Sequence, residues 1–359
     1  MSYGIAAAGT GGHVFPGLAI AEALERTGVG REEIVFFGGA RFEAKAVPDA
    51  GYDFVQVELR GLKRSFSSAN LGIPVLVHRA ATTIAEELRQ RSVKVVIATG
   101  GYVTVPAGWA ARRASVPFFV QEQNAHAGLA NRLMSRWAVD AFTSFPITEG
   151  LPNGVYTGNP LRSEFVEFDR TRLRPLALER YGLNSDTPVL GVVGGSLGAG
   201  VLNEAVQSLV RAWSGPDIQI LHLTGTLHGD TVSAQPNPFE IPWKVVPFEP
   251  SMGFFFAASD LLLARAGGMV AEITATGTPA ILVPGDFGSK GHQLATARFV
   301  EEAGGAIVAS EDELNDIAER IVEIIGDTER ITEMAERSKE LGRPHAADDI
   351  AKRLVAAHD

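Results

Sequence analysis

Cysteine is absent from all 359 residues, which excludes a disulfide framework, a thiolate metal site and a cysteine nucleophile. No apolar run approaches the roughly 18–20 residues that a membrane span needs, and residues 1–12 place no cationic segment ahead of their apolar stretch. The chain therefore reads as cytoplasmic. Positive charge is also in deficit: the formal net charge of −10 argues against a general nucleic-acid partner. What is present is ordinary for a folded protein, with 45% hydrophobic and 21% charged residues. A single core stops growing near roughly 250–300 residues, so two domains are expected.

The charge is unevenly placed. Residues 1–165 carry 16 Lys+Arg against 14 Asp+Glu, and the remainder 16 against 28. The window 60–113 holds nine basic residues (among them Lys63, Arg64, Arg112 and Arg113) and two acids, Glu86 and Glu87. Such a window fits an anionic surface, and equally a set of solvated helix faces.

Short apolar runs at 4–8, 34–37, 54–57, 94–98 and 117–120 read as buried strands, with helical patterns at 17–26, 74–92, 106–115 and 125–137 between them. The alternation restarts at 188–193, 218–224, 260–263 and 280–284, with helices expected at 199–213, 268–276 and 291–303. Strands alternating with helices predict parallel sheets, so the chain reads as two doubly wound α/β domains facing a cleft. The boundary is placed near Gly158-Asn159-Pro160, giving domains 1–163 and 164–340; residues 311–357 read as charged amphipathic helices.

Chemistry concentrates in glycine-rich loops. Gly9-Thr10-Gly11-Gly12-His13 follows the first strand and precedes a helix that Pro16 is expected to help start; its amides suit a diphosphate, although a tight strand-to-helix turn has the same composition. It lacks the Walker lysine and the dinucleotide fingerprint. Gly194-Gly195-Ser196-Leu197-Gly198-Ala199 repeats the arrangement in the second half, with Asn203 on the first turns of the following helix. A third element, Arg265-Ala266-Gly267-Gly268-Met269, leads to Glu272, a carboxylate suited to the paired hydroxyls of a ribose. A fourth, Gln121-Glu122-Gln123-Asn124-Ala125-His126, crowds hydrogen-bonding side chains at a strand's carboxyl end, as sugar recognition requires. The remaining histidines, including His78, His222, His228, His345 and His358, read as solvated or packing residues.

Together these segments, with Gly100-Gly101-Tyr102, Gly158-Asn159-Pro160-Leu161-Arg162 and His292-Gln293, resemble the MurG family of peptidoglycan N-acetylglucosamine transferases over most of the chain. The resemblance implies a GT-B glycosyltransferase fold of two Rossmann-like domains. The first would bind the lipid-linked acceptor and face the membrane, the second would bind UDP-GlcNAc, and a C-terminal helix at 341–359 would pack back on the first. It implies His13 as base or diphosphate ligand and Glu122 as a rival base. Thr10, Gly11, Gly12, Tyr102, Asn124 and Arg162 fall to the acceptor. Ser196, Asn203, Arg265, Gly268, Met269, Glu272 and Gln293 fall to UDP-GlcNAc. The sequence departs from the family at Gln121 (usually His), Leu197 (usually Gln), Gly291 (usually an acid) and Thr296 (usually Asn). Its segment from Arg265 to Glu272 is one residue shorter and lacks a threonine.

The implied reaction is an inverting transfer of GlcNAc from UDP-GlcNAc to the muramyl sugar of lipid I, yielding lipid II. No Asp-x-Asp occurs, so no metal or other cofactor is expected. The expected partners are UDP-GlcNAc, the undecaprenyl-linked acceptor and an anionic membrane surface on the cytoplasmic side, with no nucleic acid. Two alternatives share the loops: a UDP-GlcNAc epimerase of similar fold, and a catalytically weak donor-binding paralogue.

Overall fold

The structure is a computed structural model and describes residues 2–59, 72–195, 197–285 and 291–358. The chain forms two compact units, Met1–Ser163 with Arg343–Asp359, and Glu164–Gly342.

The first unit runs β1 (Ser2–Ala6), α1 (Gly11–Arg26), β2 (Ile34–Gly38), α2 (Glu43–Asp49), β3 (Asp53–Gln56), α3 (Ile73–Gln90), β4 (Val93–Ala98), α4 (Thr104–Ala114), β5 (Phe118–Glu122), α5 (Leu129–Met134), β6 (Ala141–Thr143) and β7 (Val155–Tyr156). Its seven strands lie in the order β3-β2-β1-β4-β5-β6-β7, every pair parallel. Both faces are covered, which is why β1, β2 and β5 are buried almost throughout rather than on alternate residues. Alternation still divides the core: Ile5 and Phe36 point to one cluster, and Ala6 and Phe37 to the other.

The second unit begins with the short α6 (Ser163–Val166), which straddles the boundary, and continues α7 (Arg170–Tyr181), β8 (Val189–Val193), α8 (Gly200–Ala212), β9 (Gln219–Leu223), α9 (Gly229–Ser233), β10 (Trp243–Val246), α10 (Met252–Ala258), β11 (Leu261–Arg265), α11 (Val270–Thr276), β12 (Ala280–Val283), α12 (His292–Glu302), β13 (Ala306–Val308), α13 (Ile317–Ile325) and α14 (Thr328–Leu341). Its six strands run β10-β9-β8-β11-β12-β13, again all parallel. The last helix, α15 (Ala346–His358), belongs to the first unit: it packs on α1 and buries Ala347, Ile350, Ala351 and Leu354 beside Ile5 and Phe36. An Arg26–Asp348 ion pair at 2.6 Å fastens it.

Two helices differ from the sequence expectation. The first begins at Gly11, not 17, because Thr10 serves as its N-cap in extended conformation; Pro16 lies inside it, where it removes the bond to the carbonyl of Gly12. The helix expected at 125–137 is confined to Leu129–Met134, since the residues before it are held in a loop by Glu122. Among the described residues no helix is long and apolar enough to cross a membrane.

Candidate active site

In an open parallel sheet, ligands bind beyond the carboxyl ends of the strands where the strand order reverses. In the first unit that point is β1/β4, and in the second β8/β11. The glycine-rich loops of the sequence leave these four strands.

In the first unit, Gly9 follows β1 while Gly100 and Gly101 follow β4, with φ of +108°, +108° and +83°. A Cβ on Gly101 would stand 2.1 Å from the Ala8 carbonyl oxygen, and one on Gly100 would stand 2.6 Å from Cδ2 of His13. The two loops meet backbone to backbone, and the half-buried His13 ring lies on Gly100. Its Nδ1 is 3.4 Å from the Thr10 hydroxyl, and its carbonyl accepts from Thr99 Oγ1 at 2.8 Å. Burial lowers the His13 pKa, opposed in part by the charge of Glu122, a hydrogen bond to the Ala8 backbone and the charge of Glu43. His13 is thus a neutral imidazole at pH 7, able to accept a proton. The N–H groups of Gly11 and Gly12 open α1 and have no acceptor among the described residues. At the positive end of a 16-residue helix, such amides can receive an anion.

The Gly9 N–H is already taken. It donates to Glu43 Oε2 at 3.0 Å, while Oε1 accepts from the Gly39 N–H at 3.0 Å and the Tyr102 hydroxyl at 2.9 Å. Burial pushes the Glu43 pKa up, but the bonds from Gly9, its own N–H, Tyr102 and Gly39 outweigh it and keep the carboxyl below its ordinary value. The sequence reading passed over this residue. A Gly-Gly pair at a strand end followed four residues later by an acid was the available signal.

Glu122 ends β5 with 1% of its surface exposed. Its Oε1 accepts from the Asn124 N–H and Nδ2, and its Oε2 from the Gly128 N–H and Asn131 Nδ2, all at 2.9–3.0 Å. Both oxygens are thus occupied by donors from the loop that follows and from Asn131, and this geometry makes Glu122 the residue that shapes loop 123–128. Gln121, where the family usually has His, is fully buried between Ser144 and Gln123. Arg162 stacks its guanidinium 5.7 Å from the ring centre of Phe15, one turn along α1 from the glycine loop.

In the second unit, Gly194 turns sharply from β8 into α8; a Cβ there would meet the Ala199 N–H nitrogen at 2.4 Å. Ser196 lies outside the described residues. Asn203 does not reach this loop as a ligand: it is 4% exposed and faces the core, donating from Nδ2 to the Thr224 carbonyl at 3.2 Å. Its Oδ1 lies 3.0 Å from Nε2 of His222, whose pKa burial lowers to about 3. The Asn203 oxygen can only accept, so His222 carries a proton on Nε2, and burial keeps the ring neutral. The expected phosphate contact is thereby corrected to an internal brace: α8 is amphipathic, and position 203 falls on its buried stripe.

Arg265 ends β11 nearly buried, paired with Glu311 at 2.6 Å and donating to the Val283 carbonyl at 3.3 Å. Gly268 is open, Met269 is the N-cap of α11, and Glu272 stands half-buried in the first turn. Gln293 reaches the same place from α12: its Oε1 accepts from the Gly285 N–H at 2.7 Å, and its Nε2 would lie 3.9 Å from a Cβ on Gly267. The reversal point of the second sheet therefore gathers Arg265, Gly267, Gly268, Glu272 and Gln293, although 20 or more residues separate the last from the strand.

Two doubly wound units with glycine loops at both reversal points define the GT-B class of nucleotide-sugar glycosyltransferases. The model for the glycosyltransferase family 28 N-terminal domain matches residues 3–143, and that for its C-terminal domain matches residues 189–354. The UDP-N-acetylglucosamine–N-acetylmuramyl-(pentapeptide) pyrophosphoryl-undecaprenol N-acetylglucosamine transferase of Thermobifida fusca is 34% identical over 98% of this chain and 93% of its own. The crystal structure of Acinetobacter baumannii MurG superposes with a TM-score of 0.77 at 25% identity, covering 99% of this chain and 100% of that one. A UDP-GlcNAc 2-epimerase from Neisseria meningitidis shares the fold alone, with a TM-score of 0.66 at 15% identity, over 99% and 100% of the two chains. The chain belongs to the MurG family of glycosyltransferases.

Proposed function

We propose that this protein transfers GlcNAc from UDP-GlcNAc to the muramyl sugar of undecaprenyl-pyrophosphoryl-MurNAc-pentapeptide, turning lipid I into lipid II for peptidoglycan, and so serves cell shape and division. The observation that carries the reading is near-full-length similarity to that transferase, embracing the loops at both reversal points. His13 takes the proton of the attacking hydroxyl, and the acceptor diphosphate rests on the amides of Gly11 and Gly12 beside Thr10. Tyr102, Asn124 and Arg162 line the same side. UDP-GlcNAc binds the second unit through Ser196, Arg265, Gly268, Met269, Glu272 and Gln293, and the start of α8 stabilises the departing diphosphate without a metal. Labelled UDP-GlcNAc incubated with lipid I tests the whole reading: lipid II must form, whereas epimerised sugar without lipid product points to the epimerase, and bound donor with no product to an inactive paralogue.

Glu272→Ala is expected to weaken UDP by about 1–3 kcal/mol, the value of charge-assisted bonds to ribose hydroxyls. Calorimetry that finds unchanged UDP affinity in the folded variant removes the assignment.

The first unit docks on the anionic cytoplasmic face of the membrane, because a polyprenyl-linked acceptor cannot leave the bilayer at about 0.8 kcal/mol per exposed methylene. Exposed apolar groups support this: Val75 at 54%, Trp109 at 39% and Trp137 at 45%, the last beneath the Arg112 guanidinium at 4.9 Å. Lys63, Arg64, Phe66 and Leu71 of the basic window lie outside the described residues. Sedimentation with anionic vesicles is expected to show binding at low salt, weakened by roughly 1 kcal/mol for each basic residue lost when Lys63, Arg64, Arg112 and Arg113 are changed to Glu. Binding that ignores both salt and charge reversal refutes the docking.

A further inference from the structure

Glu43 belongs to none of the glycine motifs, yet its buried carboxylate ties together three loops, those after β1, β2 and β4. Glycines make room for it: a Cβ on Gly38 would stand 2.8 Å from Glu43 Cγ, and one on Gly39 would stand 2.4 Å from the Tyr102 hydroxyl oxygen. A solvated helix acid would face water, and a packing position would favour an apolar side chain with no desolvation cost. A buried carboxylate kept ionised by neutral donors instead fixes those donors in direction. Gly9 stands between two rings of the site, since a Cβ there would lie 3.7 Å from Cε1 of Tyr102 and 3.9 Å from Nδ1 of His13. The charged groups acting on His13 are Glu122, from the end of β5, and Glu43, from α2. Tyr102 stays neutral, its hydroxyl pKa raised by burial and by its bond to Glu43.

We infer that Glu43 is a positioning residue for the transfer: it locks Gly9 and Tyr102 so that His13 keeps one direction toward the acceptor, and it withdraws the Gly9 N–H from anion binding, which confines the acceptor diphosphate to the start of α1. The inference rests on the reading of this loop as the acceptor site. Glu43 touches no reacting atom; it acts through Gly9 and Tyr102.

The test uses the full-length protein, UDP-GlcNAc and lipid I, with acceptor and donor KM measured separately. Wild-type turnover checks the reading itself; without it the proposal falls together with that reading. Given turnover, Glu43→Gln keeps the side-chain size but puts a donor where a carboxylate oxygen accepts. Acceptor kcat/KM is expected to fall on the order of 10²-fold, as for misplaced catalytic groups, with donor KM unchanged. The acid limb of the pH profile is expected to move to lower pH, because loss of a negative charge lowers the His13 pKa. Tyr102→Phe, which removes one donor and no charge, is expected to raise acceptor KM without moving that limb. A folded Glu43→Gln protein with wild-type acceptor KM and acid limb overturns the proposal. So does a Glu43→Gln protein that fails to fold while Tyr102→Phe leaves acceptor KM unchanged, since Glu43 would then be structural alone.

Discussion

Replacing His13 with alanine is expected to lower kcat with lipid I by about 10²–10⁴-fold, the range for loss of a general base, while leaving UDP affinity as it was. The imidazole sits on Gly100 in the first unit, whereas every residue proposed to hold the donor lies in the second. The pH profile gives an independent check. A base must be neutral to work, and burial lowers the His13 pKa, so the wild-type rate is expected to persist below the ordinary imidazole value of about 6.5 before its acid limb falls. The variant is expected to lose that limb along with the rate. Near-normal kcat in the alanine protein would show that His13 is neither base nor essential ligand.

Gly101→Ala is expected to do as much damage by a different route. At φ +83° an L-residue costs roughly 1–2 kcal/mol, and a Cβ placed 2.1 Å from the Ala8 carbonyl oxygen adds overpacking of about 1–3 kcal/mol. The obstacle is backbone, so no side chain can swing away. Ala8 leads into Gly9 and Gly101 into Tyr102, and forcing the two loops apart displaces both Tyr102 and His13. Thermal unfolding is expected to show a weakened first unit, transfer is expected to vanish, and UDP binding is expected to survive. Gly28→Ala is the control: φ there is +99°, yet nothing lies within 4 Å of the added Cβ, so only the backbone term applies. If the two variants prove equally stable, the close approach of the β1 and β4 loops is not real.

The parallel sheets were legible because strands buried on both faces are apolar almost without interruption, and β1, β4, β5, β8, β9, β11 and β12 all answer to runs in the sequence. The strands β6, β7 and β13, of three, two and three residues, are too short to show a pattern. Glycine loops pointed to both reversal points, since a close backbone approach leaves its mark in composition. Glu43 was passed over and Asn203 misread for a common reason. An acid or amide early in a helix looks solvated or ligand-directed until the partner on a distant strand or loop is known, here Gly9 and Tyr102 for the one and His222 for the other. Glu122 stands out in the sequence as a polar residue at a strand end, but its four donors come from residues two to nine positions away whose loop path no periodicity encodes.

The return of α15 to the first unit reverses the usual order of assembly on the ribosome. The apolar cluster around Ile5 and Phe36 is finished only by Ile350 and Leu354, whereas the second unit is whole once Gly342 has emerged. At a synthesis rate of about 5–20 residues per second, the seat of that helix waits on the order of ten seconds, open to chaperones and to misassociation, after its own strands have been made. A premature stop in the last thirteen helical residues would therefore strike the part of the enzyme that was translated first and spare the part that was translated just before it.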